Sequence, residues 1–344
     1  MRVIVDPNCN ILYGSFYLKG LWDVFGKKNV RFSSTPFTEL NSLSLCFNFV
    51  VFQQGKSLVK VTIDMDDYIE IKPKHYNWCD VYGKVNTNWK LIDESYKQKV
   101  ISLTPGFGIN IWDLPTTCYQ LFKNYFLSHH SELNFRRFLA KYKSQFLIRL
   151  PLSAYSHSEV DDNYLFHVST LWQNIDDVNN DDNVNRIRSI FIDTCKKLDF
   201  LNFEGGLYFP GGRQLPTKFK HLVFEKYMDN TTYMEKVKSS FVVFNTPAWL
   251  NCHGWKLGEY LALGKAIIST KFYNDLPVPL IHGENIHFVE DTPEDIRCAI
   301  ELLARDSQYR IKLEQGALQY WNNYATPKKI IERLIGYSGK EVFE

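Results

Sequence analysis

The sequence predicts an α/β protein built from two doubly wound, Rossmann-like domains facing a cleft. Three observations lead there. A chain of 344 residues exceeds what one hydrophobic core usually organises. It opens on the apolar run Val3-Ile4-Val5, a turn bearing Gly14 and a helical stretch to Phe25, which is the strand–turn–helix start of such a domain. Far downstream, Phe241-Val242-Val243-Phe244 is followed by a loop from Asn245 to His253, a helical stretch from Trp255 to Leu263, a turn at Gly264 and the apolar Ala266-Ile267-Ile268. That strand–loop–helix–strand unit implies a right-handed parallel crossover.

Each element has its own reason. Pro7 to Gly14 reads as loop, and Ser15 as the cap of the first helix. Leu45 to Phe52 and Leu58 to Ile63 are strands, the second ending in Asp64-Met65-Asp66-Asp67. Cys79 to Val85 and Val100 to Leu103 are shorter strands. The latter runs into Pro105-Gly106-Phe107-Gly108, a turn by composition. Residues 115–148 read as two helices with His129 and His130 between them. The polar, turn-rich Leu150 to Asn163 marks the domain boundary, giving domains 1–150 and 151–325 and a last segment 326–344. In the second domain Tyr164 to Ser169 is a strand, and the Asp/Asn-dense Asn174 to Asn185 an exposed loop. Asn185 to Leu198 is a helix with Ile187, Ile190, Phe191 and Cys195 facing inward. Leu207 to Phe209 and His221 to Tyr227 are strands, and Thr231 to Ser239 is a helix. Helices starting at Pro293, Ser307 and Pro327 close the chain.

In open α/β sheets, ligands sit beyond the carboxyl ends of the strands, against helix N-termini. The loop 245–253 occupies that place. The helix after it carries only Lys256 and Glu259 as charges, about 60° apart at 100° per residue, with Leu257, Gly258 and Leu261 on the other side. Two readings follow. Either Lys256 neutralises a phosphate while Glu259 accepts hydrogen bonds from a sugar diol, or the two form an i,i+3 ion pair on a solvated edge. Pro210-Gly211-Gly212-Arg213-Gln214 permits close backbone approach to an anion. This makes Arg213 the next phosphate candidate, with Lys218 behind it. Asp64, Asp66 and Asp67 at a strand end, with His75 nearby in sequence, are candidates for a catalytic base; a solvated turn is the plainer reading, and a metal site is disfavoured.

The segment Gly258-Glu259-Tyr260-Leu261-Ala262-Leu263-Gly264-Lys265-Ala266-Ile267-Ile268 resembles the donor-binding segment of GT-B glycosyltransferases, among them group 1, exostosin-like and fucosyltransferase-like families. His282-Gly283-Glu284-Asn285-Ile286-His287-Phe288-Val289, followed by Asp291-Thr292-Pro293-Glu294-Asp295, is similar to the segment those proteins carry next. The resemblance spans residues 220–335. It implies that Glu259 holds a ribose and Lys256 a diphosphate. The full donor-binding set becomes Glu259, Lys256, Gly254, Trp255, Asn251, His253, Leu257, Arg213 and Lys218. It further implies an acceptor domain at 1–150 with Tyr13, Gly14 and Ser15 on the acceptor side, a nucleotide-sugar domain at 151–325, and a final helix crossing back to the first domain. The implied activity is metal-independent glycosyl transfer from a nucleotide-sugar, used as substrate and without a cofactor, to a glycan or lipid-linked sugar. Peripheral contact with the inner face of a membrane follows from such an acceptor. One position departs from the pattern. Many retaining members carry a second glutamate eight residues before the helix glutamate, where this chain has Asn251, and an amide carries no negative charge. Stereochemistry is therefore open. A non-catalytic nucleotide-sugar-binding protein of degenerate GT-B fold is the second reading. A nucleotide-sugar epimerase-like or other cofactor enzyme of doubly wound fold is the third, against which stands the missing nicotinamide fingerprint G-x-G-x-x-G.

The totals exclude several other classes. A formal charge of +2 argues against a dedicated nucleic-acid binder. Seven cysteines without close paired spacing argue against a zinc cage or a disulfide framework and for a reducing, cytoplasmic setting. No apolar run approaches the ~20 residues that span a bilayer, and Met1-Arg2-Val3 begins a strand without a signal-peptide layout.

Overall fold

The computed structural model describes residues 1–40, 45–54, 56–128, 134–172, 178–210 and 214–339, with backbone alone at 56 and 178–182. Among these the elements run β1 Arg2–Val5, α1 Ile11–Phe25, β2 Val30–Phe32, β3 Cys46–Gln53, β4 Lys56–Asp64, α2 Pro73–Trp78, β5 Val81–Lys84, β6 Val100–Ser102, α3 Leu114–Leu127, α4 Phe135–Leu147, β7 Tyr164–Thr170, α5 Val178–Cys195, β8 Asn202–Tyr208, α6 Asn230–Ser239, β9 Val243–Asn245, α7 Trp255–Ala262, β10 Ile267–Thr270, β11 His287–Val289, α8 Pro293–Arg305, α9 Ser307–Tyr320 and α10 Pro327–Tyr337. They fall into two α/β units. The first holds Met1–Ala154, Asn274–Val278 and Asn322–Glu344; the second holds Tyr155–Tyr273 and Pro279–Trp321. No helix among the described residues is long and apolar enough to cross a membrane.

The first unit has a six-stranded sheet in the order β2-β1-β3-β4-β5-β6. All strands run parallel except β3, which is antiparallel to both neighbours. A purely doubly wound reading does not anticipate that reversal. Its cause is the link from Gln53 to Lys56: two residues make a hairpin, whereas a parallel crossover needs a dozen or more. Gln54 in this link takes φ 49°. Strand alternation sends Ile4, Val50 and Tyr82 to one face, where Phe37, Tyr76 and Trp78 cover them. On the other face lie α1 and α10. Gly14 of α1 sits on the Phe47 ring, and Gly83 of β5 lies under Leu334 of α10. α1 and α10 lie close together at Gly20, where an added Cβ would lie 2.3 Å from the Pro327 carbonyl oxygen.

The helix over this sheet starts earlier than Ser15 suggests. α1 begins at Ile11 with Asn10 in the N-cap position. Ser15 is one turn inside, where its hydroxyl accepts from the Ile109 amide at 3.0 Å.

At the carboxyl edge of β4 and β5 the sheet buries an ionic cluster. Asp64 is wholly buried. Its Oδ1 meets Lys72 Nζ at 2.9 Å and its Oδ2 meets Lys84 Nζ at 3.0 Å. The Tyr82 hydroxyl donates to the same Oδ2 at 2.6 Å. Lys84 also donates to the Tyr68 carbonyl, and Lys72 bridges to Asp66 at 2.7 Å. Burial alone would raise the Asp64 pKa, but Lys84, Lys72 and the Tyr82 hydroxyl outweigh it and hold the carboxyl below its usual range.

In the second unit β7 pairs with β8, and β9 with β10 and β11, all in parallel. β9 lies beside β7: the Phe241 amide donates to the Tyr164 carbonyl at 3.0 Å, and the Phe166 amide to Ser240 Oγ at 2.8 Å. The spatial order is therefore β8-β7-β9-β10-β11. The winding reverses between β7 and β9, the topological switch point where α/β sheets open a ligand crevice. Beneath it the core stacks Phe191 of α5 on Phe244 of β9 with centroids 3.9 Å apart, among Leu165, Ile268 and Ile296. Two expectations change here. α5 already begins at Val178, inside the stretch read as a loop from Asn174 to Asn185, of which 173–177 lie outside the described residues. His221 to Tyr227 is not a strand. Thr217–Leu222 forms a 3-10 helix that buries Phe219 and Leu222, leaving only the bridge of Val223 to Leu207.

Two tests follow. Gly20→Ala should lower the stability of the first unit by about 1–3 kcal/mol in denaturant unfolding, because overpacking at Pro327 exceeds the usual helix gain of ~0.5–1 kcal/mol from alanine; a stabilised variant would contradict the close crossing. Asp64→Asn should cost about 3–5 kcal/mol, since it leaves Lys84 buried without its carboxylate.

Candidate functional site

The switch point is built from three pieces of chain. The first is the loop from β9 to α7. Within it Trp249–Asn251 makes one 3-10 turn in which Leu250 (φ 56°, ψ 28°) and Asn251 (φ 57°) are both left-handed. For a non-glycine residue this costs about 1–2 kcal/mol, so the surrounding structure must enforce it. It does so by bonding the Ala248 amide to the Cys252 carbonyl at 2.9 Å and the Cys252 amide to the Trp249 carbonyl at 3.1 Å. Asn245, the last residue of β9, is fixed by its bond to Ser269 Oγ at 3.0 Å. Asn245, Asn251, His253 and Gly254 of this stretch, with Phe272 and Tyr273, line a narrow surface recess. Gly254 enters α7 in extended conformation, with no capping side chain and no acid in the first turn. The first turn of α7 thus sets no acid of its own against the helix dipole.

The second piece is Lys256 in the first turn of α7. Its side chain is half-buried, and its ammonium donates to the Val168 carbonyl of β7 and lies 5.8 Å from the Tyr233 ring centroid. The third is Arg188 of α5, buried, with Nη1 donating to the Thr170 carbonyl at 2.7 Å. Two cations from separate helices thus converge on the carboxyl end of β7, and both take carbonyl oxygens as acceptors. Burial lowers the Lys256 pKa to about 7, and the Arg188 charge adds to the effect; Glu259 opposes it. Burial likewise lowers Arg188 to about 10. His167, buried beside them and bonded to Ser169 Oγ at 2.7 Å, is pushed well below its usual value by burial and by Lys256, and stays neutral. Glu259 lies on the same half-buried side of the helix, within 3.5 Å of the Tyr155 hydroxyl. Lys256 therefore reaches across to β7 instead of lying along a solvated edge.

Of the sequence candidates, this region gathers Asn251, His253, Gly254, Lys256 and Glu259. Trp255 is half-buried at the helix start. Leu257 is a correction: it is fully buried in the core and its amide already bonds the Gly254 carbonyl at 3.2 Å, so it offers a ligand nothing. Lys218 is exposed on the 3-10 helix Thr217–Leu222, its ammonium 5.0 Å from the Phe219 centroid. Arg213 lies outside the described residues. The acceptor-side candidates are corrected as well. Tyr13, Gly14 and Ser15 are interior residues of α1, with Gly14 pressed on Phe47 and Ser15 wholly buried, so they do not form an open turn. Asp64 is the centre of the buried ion cluster and not an accessible base. Asp66 holds Lys72, Asp67 is half-buried beside it with its amide on Asp66 Oδ1, and His75 is buried on α2 with its pKa lowered to about 4 by burial and Lys72. The carboxylates weighed as a cation site thus enclose a lysine ammonium. Among the described residues no group of three or more His, Cys, Asp or Glu is placed to hold a metal ion.

Arg188, His167, Tyr155 and Tyr233 escaped sequence reading. Arg188 is one of two arginines in a helix read only for its apolar stripe, and nothing in its spacing marks it as turned inward. The available signal was the partner problem: a buried Lys256 must be met by strands other than its own.

No family model matches the chain, and no curated protein matches it. Solved structures do resemble it in fold. A glycosyltransferase from Rickettsia africae aligns over 75% of this chain and 63% of its own length, with 11% identity and a TM-score of 0.41. HepE from Anabaena, solved with UDP-glucose, aligns over 76% of this chain and 65% of its own, with 12% identity and a TM-score of 0.40. The chain spans less than two thirds of the length of both. The C-terminal domain of the group 1 family glycosyl transferase LpcC from Francisella tularensis aligns over 96% of its length and 50% of this chain, with 14% identity and a TM-score of 0.35.

Proposed function

We propose that this chain is a glycosyltransferase that moves a sugar from a nucleotide-sugar donor to a hydroxyl of a glycan or lipid-linked acceptor. The observation that carries the reading is the convergence of Lys256 and Arg188 at the carboxyl end of β7, beside the uncapped start of α7. A half-buried lysine, a buried arginine and a helix N-terminus at a switch point suit a diphosphate. Glu259, one turn further along the same side of α7, suits the ribose hydroxyls of the same ligand. In the transfer, the acceptor oxygen attacks the anomeric carbon and the bond from that carbon to the diphosphate oxygen breaks. The diphosphate leaves with the electron pair, and the acceptor proton passes to a base or to water. Lys256, Arg188 and the first amides of α7 would stabilise the charge that grows on the leaving group. Metal independence, the absence of a cofactor and a cytoplasmic, membrane-peripheral setting remain part of the proposal. One observation favours a binding protein without turnover: Asp64, the nearest thing to a general base in the sequence, is committed to two lysines.

Lys256→Met should keep the fold and weaken binding of a nucleoside diphosphate about 10- to 100-fold in calorimetry, the range expected for one charge-assisted contact. Glu259→Ala should weaken the nucleoside diphosphate but not inorganic pyrophosphate. Unchanged affinity in the lysine variant would remove the basis of the reading; full affinity without donor turnover would select the binding protein. The pH dependence has a definite sign. Lys256, with a pKa of about 7 in the free protein, is largely neutral above pH 7.5, and a bound diphosphate returns it to the charged form. Between pH 7.5 and 9, where a terminal phosphate is already ionised, affinity should fall as pH rises, by up to ~10-fold per unit, with proton uptake on binding. The lysine variant should show neither effect.

A further inference from the structure

The α3–α4 hairpin of the first unit has an inner and an outer side of different chemistry. Both helices are firmly set. Asp113 caps α3 through the Thr116 amide at 2.9 Å, and Asn134 caps α4 through the Arg136 amide at 2.9 Å. Their inner stripes, Thr117, Leu121 and Asn124 on α3 and Phe138, Tyr142 and Gln145 on α4, are buried and cross-linked by Asn124 Nδ2 to the Tyr142 hydroxyl at 2.8 Å. On the arc of α3 opposite this stripe stand Tyr119, Phe122 and Phe126, which are 61%, 51% and 77% exposed. Phe122 stacks on Phe135 at the start of α4, 6.3 Å between centroids, so the aromatic surface continues from one helix to the other. Leu139 and Leu147 of α4 are exposed as well.

The charge of this hairpin is one-sided. Residues 114–150 carry Lys123, Arg136, Arg137, Lys141, Lys143 and Arg149 against the single acid Glu132, a local charge of +5. The whole chain is only +2, so everything outside the hairpin sums to −3. Of these cations Arg136, Arg137 and Lys143 are exposed, all on α4, the helix that carries Leu139 and Leu147. Monomeric surfaces rarely leave such side chains contiguous without an interaction to satisfy them. Arginine and lysine ringing aromatic and leucine side chains is the composition of a helix that lies in a lipid interface. The exposed leucines distinguish this from a nucleic-acid platform, where stacking uses aromatic rings alone.

We propose that the outer face of the α3–α4 hairpin docks on a membrane surface bearing anionic headgroups, inserting Tyr119, Phe122 and Phe126 while Arg136, Arg137 and Lys143 meet the headgroups. The inference deepens the membrane-peripheral part of the proposed function; it rests on residues of the first unit, so its failure would leave the nucleotide site at Lys256 and Arg188 untouched.

The test is co-sedimentation of the full chain with phosphatidylcholine vesicles, with and without about a third phosphatidylglycerol, at low and high salt. The wild-type chain should bind the anionic vesicles, and do so less at high salt. Arg136→Glu with Lys143→Glu, and separately Tyr119→Ser with Phe126→Ser, should each weaken binding more than about tenfold. All four side chains are exposed, so unfolding midpoints should hold; if one double variant unfolds, the other carries the test. No binding to anionic vesicles, or binding that neither variant changes, overturns the proposal. So does a concentration-dependent dimer, or retention of single-stranded RNA, that both variants abolish while vesicle binding is absent.

Discussion

An ammonium taken out of water must find lone pairs or a counter-charge, or give up its proton. The architecture turns on how three lysines meet that condition. Lys84, fully buried in the first unit, is held by the Asp64 carboxylate and the Tyr68 carbonyl, and the cluster around Asp64 ties β4 and β5 to the segment leading into α2. Lys265, buried just before β10, donates to the Lys238 and Ser240 carbonyls, joining the end of α6 to the turn that follows α7. Burial brings its pKa to about 7, with Glu314 pulling the other way. Lys256 is placed like Lys265, donating to a carbonyl oxygen with an arginine and a glutamate nearby, but it is only half-buried where Lys265 is fully so.

The place of Lys256 follows from topology. Because β9 lies beside β7, the helix that follows it, α7, starts next to the carboxyl end of β7, where Lys256 reaches the Val168 carbonyl. Core packing then fixes the orientation. Leu257 and Leu261 are drawn inward, Phe244 stacks on Phe191 below, and Lys256 and Glu259 have only the half-open side of the helix left to occupy. Arg188 reaches the same point because Ile187 and Phe191 on its helix are anchored in that core.

Much of this was legible in the residues. The apolar run at Phe241, the small and apolar helix at Trp255, the glycine turn and the strand after it have local causes, and so does the pairing of Lys256 with Glu259 on one side. Helices beginning at Pro293, Ser307 and Pro327 were equally plain, because their caps Thr292, Asp306 and Thr326 act over three residues. What depended on distant chain was not legible. Asp64 as an ion-pair centre needs Lys84, twenty residues away on the next strand, and Arg188 meets Lys256 only because β7 brings their helices together. The first helix misled by offering Ser15 as a cap, when burial of Ile11 and Phe16 extends it backwards over a position whose side chain makes no cap. The reversal of β3 was available in principle, since only two residues separate it from β4.

Asn251 shows how a departure from a resemblance acquires a physical cause. At that place many GT-B glycosyltransferases of the retaining kind carry a glutamate, and the amide reads at first as a lost charge. Here the residue holds φ 57° directly after Leu250 at φ 56°, so the turn needs two left-handed residues in succession. Asparagine enters that region several-fold more readily than most side chains, and glutamate does not share the preference. The tight turn formed by Trp249–Asn251 is also what returns the chain to Cys252 and sets Gly254 in extended form at the head of α7. The bend at Leu250 and Asn251 thus fixes where α7 starts, and with it where Lys256 meets the Val168 carbonyl.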